Sequence, residues 1–452
     1  MKRALFFTVF AAILAAGSCF AQPKKASNDS KAAARREIVS APVASANAPA
    51  GPAHPSMYNF PGIEYPRIEA DARVTFRLVA PDAKKVQVSL VNVPFDMVKG
   101  ADGAWTYTSA PQVVGYHNYW FIVDGAPMLD PGTQQFIGYG HMCNGFEIPE
   151  PGVDWYDLKD VPHGDVLIKN YFAKTSNTWR HMFVYTPPGY GASATRYPVL
   201  YLQHGSGEDE RVWIEMGRAN VILDNLLATG KIKPFIVVME SSYGVGPAAV
   251  PGAPTTPPGV DPNHNWGIGP MGSGLLQGPG VPVGGYYGQL MVKDLIPWID
   301  SHFRTVADKD HRGMAGLSMG GRQTAAVTMV NLDTFSYIGL LSGGAAAPRT
   351  APGGRRGGGG ARGGATPPPT EDFNIKTSYN GAMANPAEFN KKVKVFYFMC
   401  GGAEYPEGLM KHQQELVAAG ITNSYVYVSP STAHEWQTWR RALYTFSQLL
   451  FQ

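Results

Sequence analysis

Hydrophobic and polar residues alternate along residues 65–150. Apolar side chains occupy every second position in four short segments, which are centred on Phe76, Val88, Trp105 and Phe121. Turn-forming residues separate these segments. Because successive side chains of a strand point to opposite faces, this period of two predicts short antiparallel strands with one buried face. We therefore predict a small β-sandwich over residues 58–150.

From residue 151 to residue 452, continuous apolar segments alternate with amphipathic ones. The predicted strands lie at 182–185, 199–202, 235–239, 314–317, 337–341, 393–399 and 425–428. The predicted helices lie at 219–229, 290–303, 322–330, 409–419 and 435–449. Strands that are apolar throughout are typical of a sheet covered on both faces. The alternation therefore predicts an α/β domain over residues 151–452.

Two stretches interrupt this domain. Residues 244–285 and 345–369 are crowded with Gly and Pro, so we predict long loops. We expect the first to border the functional site. The second contains Arg-Gly runs, which we interpret as a spacer and not as an RNA-binding segment.

The N-terminus has the features of an export signal. Two basic residues precede an apolar run over residues 4–16, and small residues end at Ala21. We predict a signal peptide over residues 1–21, whose apolar run is too short to span a membrane, and a secreted or periplasmic protein. Cys19 offers the alternative of a lipoprotein. Residues 22–57 lack aromatic residues and apolar periodicity, so we predict a disordered linker.

The net charge depends on this N-terminal region. The whole chain carries +3, of which residues 1–21 contribute +2 and residues 22–57 contribute +3, leaving about −2 for the rest. The folded part therefore has no electrostatic reason to bind nucleic acid or an anionic membrane. Only Cys143 and Cys400 follow Cys19, so no disulfide framework is expected. No Cys and His cluster indicates a metal, and we expect no cofactor.

The strongest chemical signal is Gly316-Leu317-Ser318-Met319-Gly320, between a predicted strand and a predicted helix. This is the G-x-S-x-G nucleophile elbow in the context that its mechanism requires. The two glycines permit a sharp turn that exposes the serine hydroxyl, and the helix start favours developing negative charge. Ser318 is the predicted nucleophile.

A serine hydroxyl needs a neutral imidazole to take its proton. His434 follows the predicted strand 425–428 and precedes the last helix, where a catalytic histidine of such a domain belongs. His302, His311 and His412 fall within or beside other predicted elements, and we interpret them as structural. His434 is the predicted general base.

The acid of the triad should follow another strand, between the serine and the histidine in chain order. Glu404 lies just past the strand 393–399 and is the predicted acid, which would orient the imidazole. Glu407, Glu371 and Asp372 are the alternatives.

Two backbone N–H groups should bind the oxyanion. Met319, after the nucleophile, supplies the first. The strand at 199–202 ends in a Gly-containing turn, so Gly205 or Ser206 is the predicted second donor.

The segments RVTFRLVAPDAKKVQVSL, DGAWTYT and GYHNYWFIVDG resemble the immunoglobulin-like carbohydrate-binding module of family 48. The resemblance implies an immunoglobulin-like β-sandwich over residues 58–150, of a kind often attached to enzymes that act on glycans. Its aromatic residues Trp105, Tyr119 and Trp120 are either sandwich core or a platform on which sugars stack.

The segments RYPVLYLQHGSGEDE, KDLIPWIDSHFR, HRGMAGLSMGGRQT and FSYIGLLSGG resemble esterase D and the feruloyl and acetyl xylan esterases of carbohydrate esterase family 1. The resemblance implies an α/β-hydrolase domain that acts on esters of plant cell-wall polysaccharides or oligosaccharides. The chain departs from that family in two respects. Glu404 stands where the family usually has aspartate, and residues 244–285 form a longer insertion.

The sequence therefore predicts a serine carboxylic ester hydrolase that removes feruloyl or acetyl groups from xylan through an acyl-enzyme. One alternative is a siderophore esterase of the enterochelin type, which pairs a β-sandwich with the same catalytic fold but would need converging cations. The other is a catalytically inert glycan-binding protein.

Overall fold

The computed structural model describes residues 38–44, 51–243, 285–345 and 373–452. Residues 36–452 belong to one compact unit. The predicted signal peptide, most of the predicted linker and nearly all of the two predicted loops lie outside the described residues. The prediction of disorder is wrong for the described part of the linker, because residues 54–55 form a strand and Ala41 is buried. Among the residues that are described, no helix has the length and apolar character needed to cross a bilayer.

Two antiparallel sheets form the N-terminal part. Their strands are β1 (His54–Pro55), β2 (Arg67–Ile68), β3 (Val74–Val79), β4 (Val86–Leu90), β5 (Val93–Asp96), β6 (Val98–Lys99), β7 (Ala104–Thr108), β8 (Gly115–Val123), β9 (Ala126–Met128), β10 (Gln135–Gly138) and β11 (His141–Ile148). One sheet has the order β1-β2-β3-β7-β6, and the other has the order β10-β11-β8-β4-β5 with β9 beside β8.

The two sheets share one hydrophobic core. It includes Phe76 of β3, Val88 of β4, Phe121 of β8 and Phe146 of β11, all of them buried. Four of the strands coincide with the alternating segments of the sequence. The two-layer arrangement agrees with the predicted β-sandwich, while its immunoglobulin-like type stays a prediction.

A third, mixed sheet of eight strands forms the rest. Its strands are β12 (Asp165–Ala173), β13 (Thr178–Thr186), β14 (Val199–Gln203), β15 (Ile236–Glu240), β16 (Arg312–Leu317), β17 (Tyr337–Leu341), β18 (Val395–Gly401) and β19 (Ser424–Ser429). The strand order is β12-β13-β15-β14-β16-β17-β18-β19. The pairs β12–β13 and β13–β15 are antiparallel and the remaining pairs are parallel. This is the α/β-hydrolase arrangement, as predicted.

The helices of this part are α1 (Val212–Glu215), α2 (Ala219–Ala228), α3 (Gly285–Leu290), α4 (Ile296–His302), α5 (Met319–Thr328), α6 (Pro386–Lys392), α7 (Pro406–Ala418) and α8 (Trp436–Ser447). A π-helical turn at Met291–Leu295 joins α3 to α4. The predicted helix at 290–303 therefore begins earlier than expected, at Gly285.

Every residue of β16 and β17 is buried, because helices and loops cover both faces of the sheet. The carboxyl ends of the parallel strands meet at one edge, which is where sites form in such sheets. The segments that follow β14, β16, β17, β18 and β19 therefore converge there.

Buried ion pairs join the end of β11 to α8. Arg440 of α8 donates to both carboxylate oxygens of Glu147, at 2.6 and 3.1 Å. Arg441 donates to Glu150 at 2.7 Å. All four side chains are at most 5% exposed. The sandwich and the α/β sheet thus share a buried polar boundary.

Candidate active site

Ser318 lies in a sharp turn between β16 and α5. Its φ of 52° and ψ of −110° are a sparsely populated conformation for a residue other than glycine. A Cβ built on Gly316 would lie 2.5 Å from the Gly320 carbonyl, and one on Gly320 would lie 2.5 Å from the His204 carbonyl oxygen. The two glycines of the motif are therefore required by close backbone approach, as the sequence predicted.

Ser318, His434 and Glu404 form a continuous line of contacts. The Ser318 Oγ lies 2.9 Å from Nε2 of His434. The other ring nitrogen, Nδ1, lies 3.1 Å from Oε2 of Glu404. An ionised carboxylate only accepts hydrogen bonds, so Nδ1 carries the proton and Nε2 accepts from the serine hydroxyl. The structure thus brings together the three residues that the sequence predicted.

Glu404 is held by groups on two neighbouring strand ends. Its Oε1 accepts hydrogen bonds of 2.8 Å from the Ser342 hydroxyl and from the Gly401 N–H. Burial raises the pKa of Glu404, but His434, the Gly401 N–H and the Ser342 hydroxyl together lower it below its ordinary value. The carboxylate is therefore ionised at neutral pH. No local feature of the sequence pointed to Ser342, which directly follows β17.

The rival histidines have partners elsewhere. His302 stacks on Trp298 with ring centroids 3.9 Å apart. His311 lies 2.8 Å from Asp308, and the buried His412 lies 2.9 Å from the Tyr379 hydroxyl. Of the alternative acids, Glu407 belongs to the first turn of α7, and residues 371–372 lie outside the described residues.

The predicted oxyanion donors lie in two loops. Met319 is the first residue of α5, and the N–H of a first helical residue has no acceptor within its helix. The Gly205 N–H donates to the carboxyl group of Glu208 at 2.8 Å. The Gly205 N–H is therefore already directed at a protein group. Ser206 is the other predicted donor of that loop, and its side chain bonds to Tyr243.

The three aromatic residues of the sandwich have different environments. Trp105 donates to the Ala80 carbonyl and Tyr119 donates to Asp130, and both side chains pack in the core. Trp120 is also buried and packs in a second hydrophobic core, and it borders a surface cavity of about 640 Å³ together with Tyr139 and His141.

Within the described ranges, no group of three or more His, Cys, Asp or Glu side chains is arranged to hold a metal ion.

Comparison with known proteins identifies the family. The model of the Esterase family matches residues 173–254 and 277–449. An endo-1,4-beta-xylanase/feruloyl esterase of Xylanibacter ruminicola is 35% identical over 407 residues, which are 88% of this chain and 47% of that protein. Endo-1,4-beta-xylanase Y of Acetivibrio thermocellus is 26% identical over 204 residues, which are 43% of this chain and 15% of that protein. The chain thus spans about half or less of the length of these relatives.

A solved structure agrees in fold. The enterobactin esterase of Shigella flexneri superposes with a TM-score of 0.52 at 15% identity, over 83% of this chain and 92% of that one. Because the family model matches more than half of the residues and the strand order is that of an α/β-hydrolase, this chain belongs to the Esterase family.

Proposed function

We propose that this protein is a serine carboxylic ester hydrolase that removes feruloyl or acetyl groups from plant-wall xylan. The observation that carries the proposal is the line of contacts from Ser318 through His434 to Glu404. The substrate class is supported by the similarity to a protein named endo-1,4-beta-xylanase/feruloyl esterase.

In the acylation step, Ser318 Oγ attacks the ester carbonyl carbon while His434 Nε2 takes the hydroxyl proton. Glu404 accepts from Nδ1 and stabilises the imidazolium that forms. The carbon–oxygen bond to the sugar then breaks, and His434 returns the proton to the departing sugar oxygen. The product of this step is an acyl-Ser318 ester.

The negative charge of the tetrahedral intermediate forms on the former carbonyl oxygen. In this proposal the N–H groups of Met319 and Ser206 donate to that oxygen. Met319 begins a helix of ten residues, whose N-terminal end adds a favourable dipole.

Deacylation uses the same groups with water in place of the serine hydroxyl. His434 takes a proton from water, the resulting hydroxide attacks the acyl carbonyl, and the proton passes to Ser318 Oγ as it leaves. The free acid is released and the serine is regenerated. The proposed cycle uses protein groups and water throughout.

The test is chromatographic analysis of the acids released from acetylated, feruloylated arabinoxylan. We expect the wild type to release ferulate or acetate and Ser318→Ala to release neither, because loss of a catalytic serine costs roughly 10⁶ in kcat. Asp209→Asn, which changes a carboxylate paired with Arg211, is the control and should keep wild-type activity at pH 7.

Release of neither acid by the wild type would contradict the proposed substrate class. A cyclic catechol siderophore ester, assayed in parallel, then tests the alternative that the fold allows. Inactivity on that ester and on 4-nitrophenyl acetate would leave the inert glycan-binding protein as the better explanation.

We propose further that the sandwich is immunoglobulin-like and binds xylan chains at the cavity beside Trp120. The Trp120 ring lies 4.6 Å from the His141 ring and 5.9 Å from the Tyr139 ring, measured between centroids. Aromatic faces in an open cavity are suited to stacking against sugar rings. Asn92 and Ser89 supply polar groups at the same cavity.

Calorimetric titration of xylo-oligosaccharides into Ser318→Ala tests this site without turnover. We expect Trp120→Ala and Tyr139→Ala in that background to weaken binding roughly tenfold. Trp179→Ala removes an aromatic residue that is 74% exposed on β13 and should leave binding unchanged. Equal affinity in all variants would exclude the cavity.

We also propose export through the signal peptide. N-terminal sequencing of protein recovered outside the cytoplasm should begin at Gln22. A lipid-modified Cys19 as first residue would favour the lipoprotein alternative, and an intact Met1 would contradict export.

A further inference from the structure

The loop that follows β14 contains a buried carboxyl group, that of Glu208, which folds back onto the backbone of the same loop. Glu208 accepts a hydrogen bond of 2.8 Å from the Gly205 N–H, and it also bonds to the side chain of Trp436. Trp436 is the first residue of α8, two positions after His434. Glu208 therefore connects the backbone that carries the proposed oxyanion donor to the segment that carries the catalytic base.

His204 fixes the next peptide group of the same loop. Its Nε2 accepts from the Ser242 N–H at 3.3 Å, so the proton lies on Nδ1, which donates to the Gly205 carbonyl at 2.7 Å. Burial lowers the pKa of His204 to about 4, which keeps the ring neutral. In a trans peptide the C=O and N–H groups point in opposite directions. The Ser206 N–H is therefore directed away from the His204 ring.

The far end of the loop is held by two other segments. The Gly207 N–H donates to the Tyr243 hydroxyl at 2.8 Å. The Gly207 carbonyl accepts from the N–H of Gly140, in the turn between β10 and β11, at 2.9 Å. Between these ends, the Gly205 carbonyl is held by His204, and the peptide before it is held by the bond from the Gly205 N–H to Glu208. Glu208 thus fixes the backbone that leads directly into the peptide between Gly205 and Ser206.

We infer that Glu208 is a positioning residue for ester hydrolysis, which acts through Gly205 to direct the Ser206 N–H toward the oxyanion. The inference rests on the proposed function of Ser318. Glu208 touches neither substrate nor nucleophile in this scheme. Its effect is to keep a donor aligned with charge that develops only in the transition state, and such alignment changes kcat more than KM.

The charge state of Glu208 matters because the group accepts from the backbone next to the proposed oxyanion donor. Burial, together with the charge of Asp209, raises the pKa of Glu208 to about 8, although the hydrogen bonds from the Gly205 N–H and the Trp436 side chain act to lower it. The other titratable groups that interact with Glu208 are Tyr139, Cys143 and Tyr243, whose own pKa values are raised by burial and which are therefore uncharged at neutral pH. Below pH 8 the loop is thus held by a neutral acceptor. Ionisation above pH 8 places a negative charge against the loop of the proposed oxyanion donor, which disfavours a second negative charge there and should lower kcat.

The test compares Glu208→Ala and Glu208→Gln on 4-nitrophenyl acetate and methyl ferulate. Glu208→Ala removes the acceptor, and we expect kcat to fall roughly tenfold to a hundredfold with KM within about twofold. Glu208→Gln keeps a carbonyl acceptor and never ionises. We expect it to restore kcat at pH 7 to within about threefold and to remove the decline of kcat above pH 8.

Asp209→Asn is the matched control from the same loop. It should keep the wild-type kcat at pH 7 and move the alkaline decline to lower pH, since the charge of Asp209 raises the pKa of Glu208. Wild-type kcat in Glu208→Ala would overturn the inference. The inference would also be overturned if both Glu208 variants lost kcat equally and the decline of kcat above pH 8 stayed unchanged, because these results indicate a purely structural role. If the wild-type protein is inactive on every ester, the proposed function itself is overturned.

Discussion

Replacing Arg440 tests the buried boundary between the sandwich and the α/β sheet. Its guanidinium is fully buried and donates to Glu147 and to the Met216 carbonyl. Arg440→Met keeps most of the side-chain volume and removes the charge. Glu147 is then left with Arg218 as its cation, 3.5 Å away. Loss of one partner of a buried pair costs about 3–5 kcal/mol, because the other charge stays out of water.

The pH dependence of this loss follows from the carboxyl group. Burial raises the pKa of Glu147, but the charges of Arg440 and Arg218 and the hydrogen bond from Arg440 lower it below its ordinary value. A lowered carboxyl pKa contributes stability above the unfolded pKa of about 4.3, and that contribution is lost as the pH falls through the folded pKa. Without Arg440, burial dominates and Glu147 takes up a proton. The difference between wild type and Arg440→Met should therefore be large at pH 7 and shrink toward pH 4.

The assay is thermal unfolding followed by circular dichroism at pH 7 and pH 4.5. For a compact unit of this size, the expected loss lowers the midpoint by about 3–6 °C. The double variant Glu147→Gln/Arg440→Met removes both charges and should recover much of the loss. Lys391→Met breaks the exposed pair with Glu388 and is the control, with no measurable change expected. Additive losses in the double variant would refute the coupling of Arg440 to Glu147.

Four further predictions concern the site and its support. Glu404→Gln should lower kcat by roughly 10⁴ with little change in KM in steady-state assays, because an amide does not stabilise the imidazolium. Ser342→Ala removes a hydrogen bond that lowers the pKa of Glu404, so kcat should fall about tenfold and the acid limb of the pH–rate profile should move to higher pH. Gly320→Ala places a Cβ 2.5 Å from the His204 carbonyl oxygen and should lower both the melting temperature and kcat. Deletion of residues 58–150 leaves the two buried arginines of α8 without their carboxylates, so the remaining fragment should be insoluble or unfolded by circular dichroism.

The elements that carry the nucleophile could be predicted because their signals are local. β16 is buried along its whole length and apolar over residues 314–317, and Gly316 and Gly320 mark the turn within a few residues of Ser318. His434 and Glu404 could be placed from the order of strands along the chain, since each follows a buried apolar run. These inferences needed no knowledge of which strands are neighbours.

The supporting groups could not be predicted, because their roles depend on neighbours distant in the chain. Ser342 reaches Glu404 only because β17 lies beside β18, and Glu208 meets Trp436 across more than two hundred residues. A single serine or glutamate after a strand has no local feature that distinguishes it from a solvated one. β12 was missed for a related reason. Among the described strands it lies at the edge of the sheet and pairs with β13 alone, and several consecutive residues of it are exposed, so its alternation is weak.

The sandwich supports both loops of the catalytic centre. From one side, the Gly140 N–H bonds to the Gly207 carbonyl in the loop of the proposed oxyanion donor. From the other side, Glu150 accepts a hydrogen bond from Arg441. Arg441 also donates to the Pro430 carbonyl at 2.8 Å, and Pro430 lies in the turn that leads to His434. Separation of the sandwich from the α/β part would break these bonds. Arg441 would then lose Glu150, the carboxylate that compensates its buried charge, and this loss costs free energy. A sandwich built into the protein in this way stabilises the arrangement of donor and base, so substitutions at the ends of β10 and β11 should change kcat even where they touch no sugar.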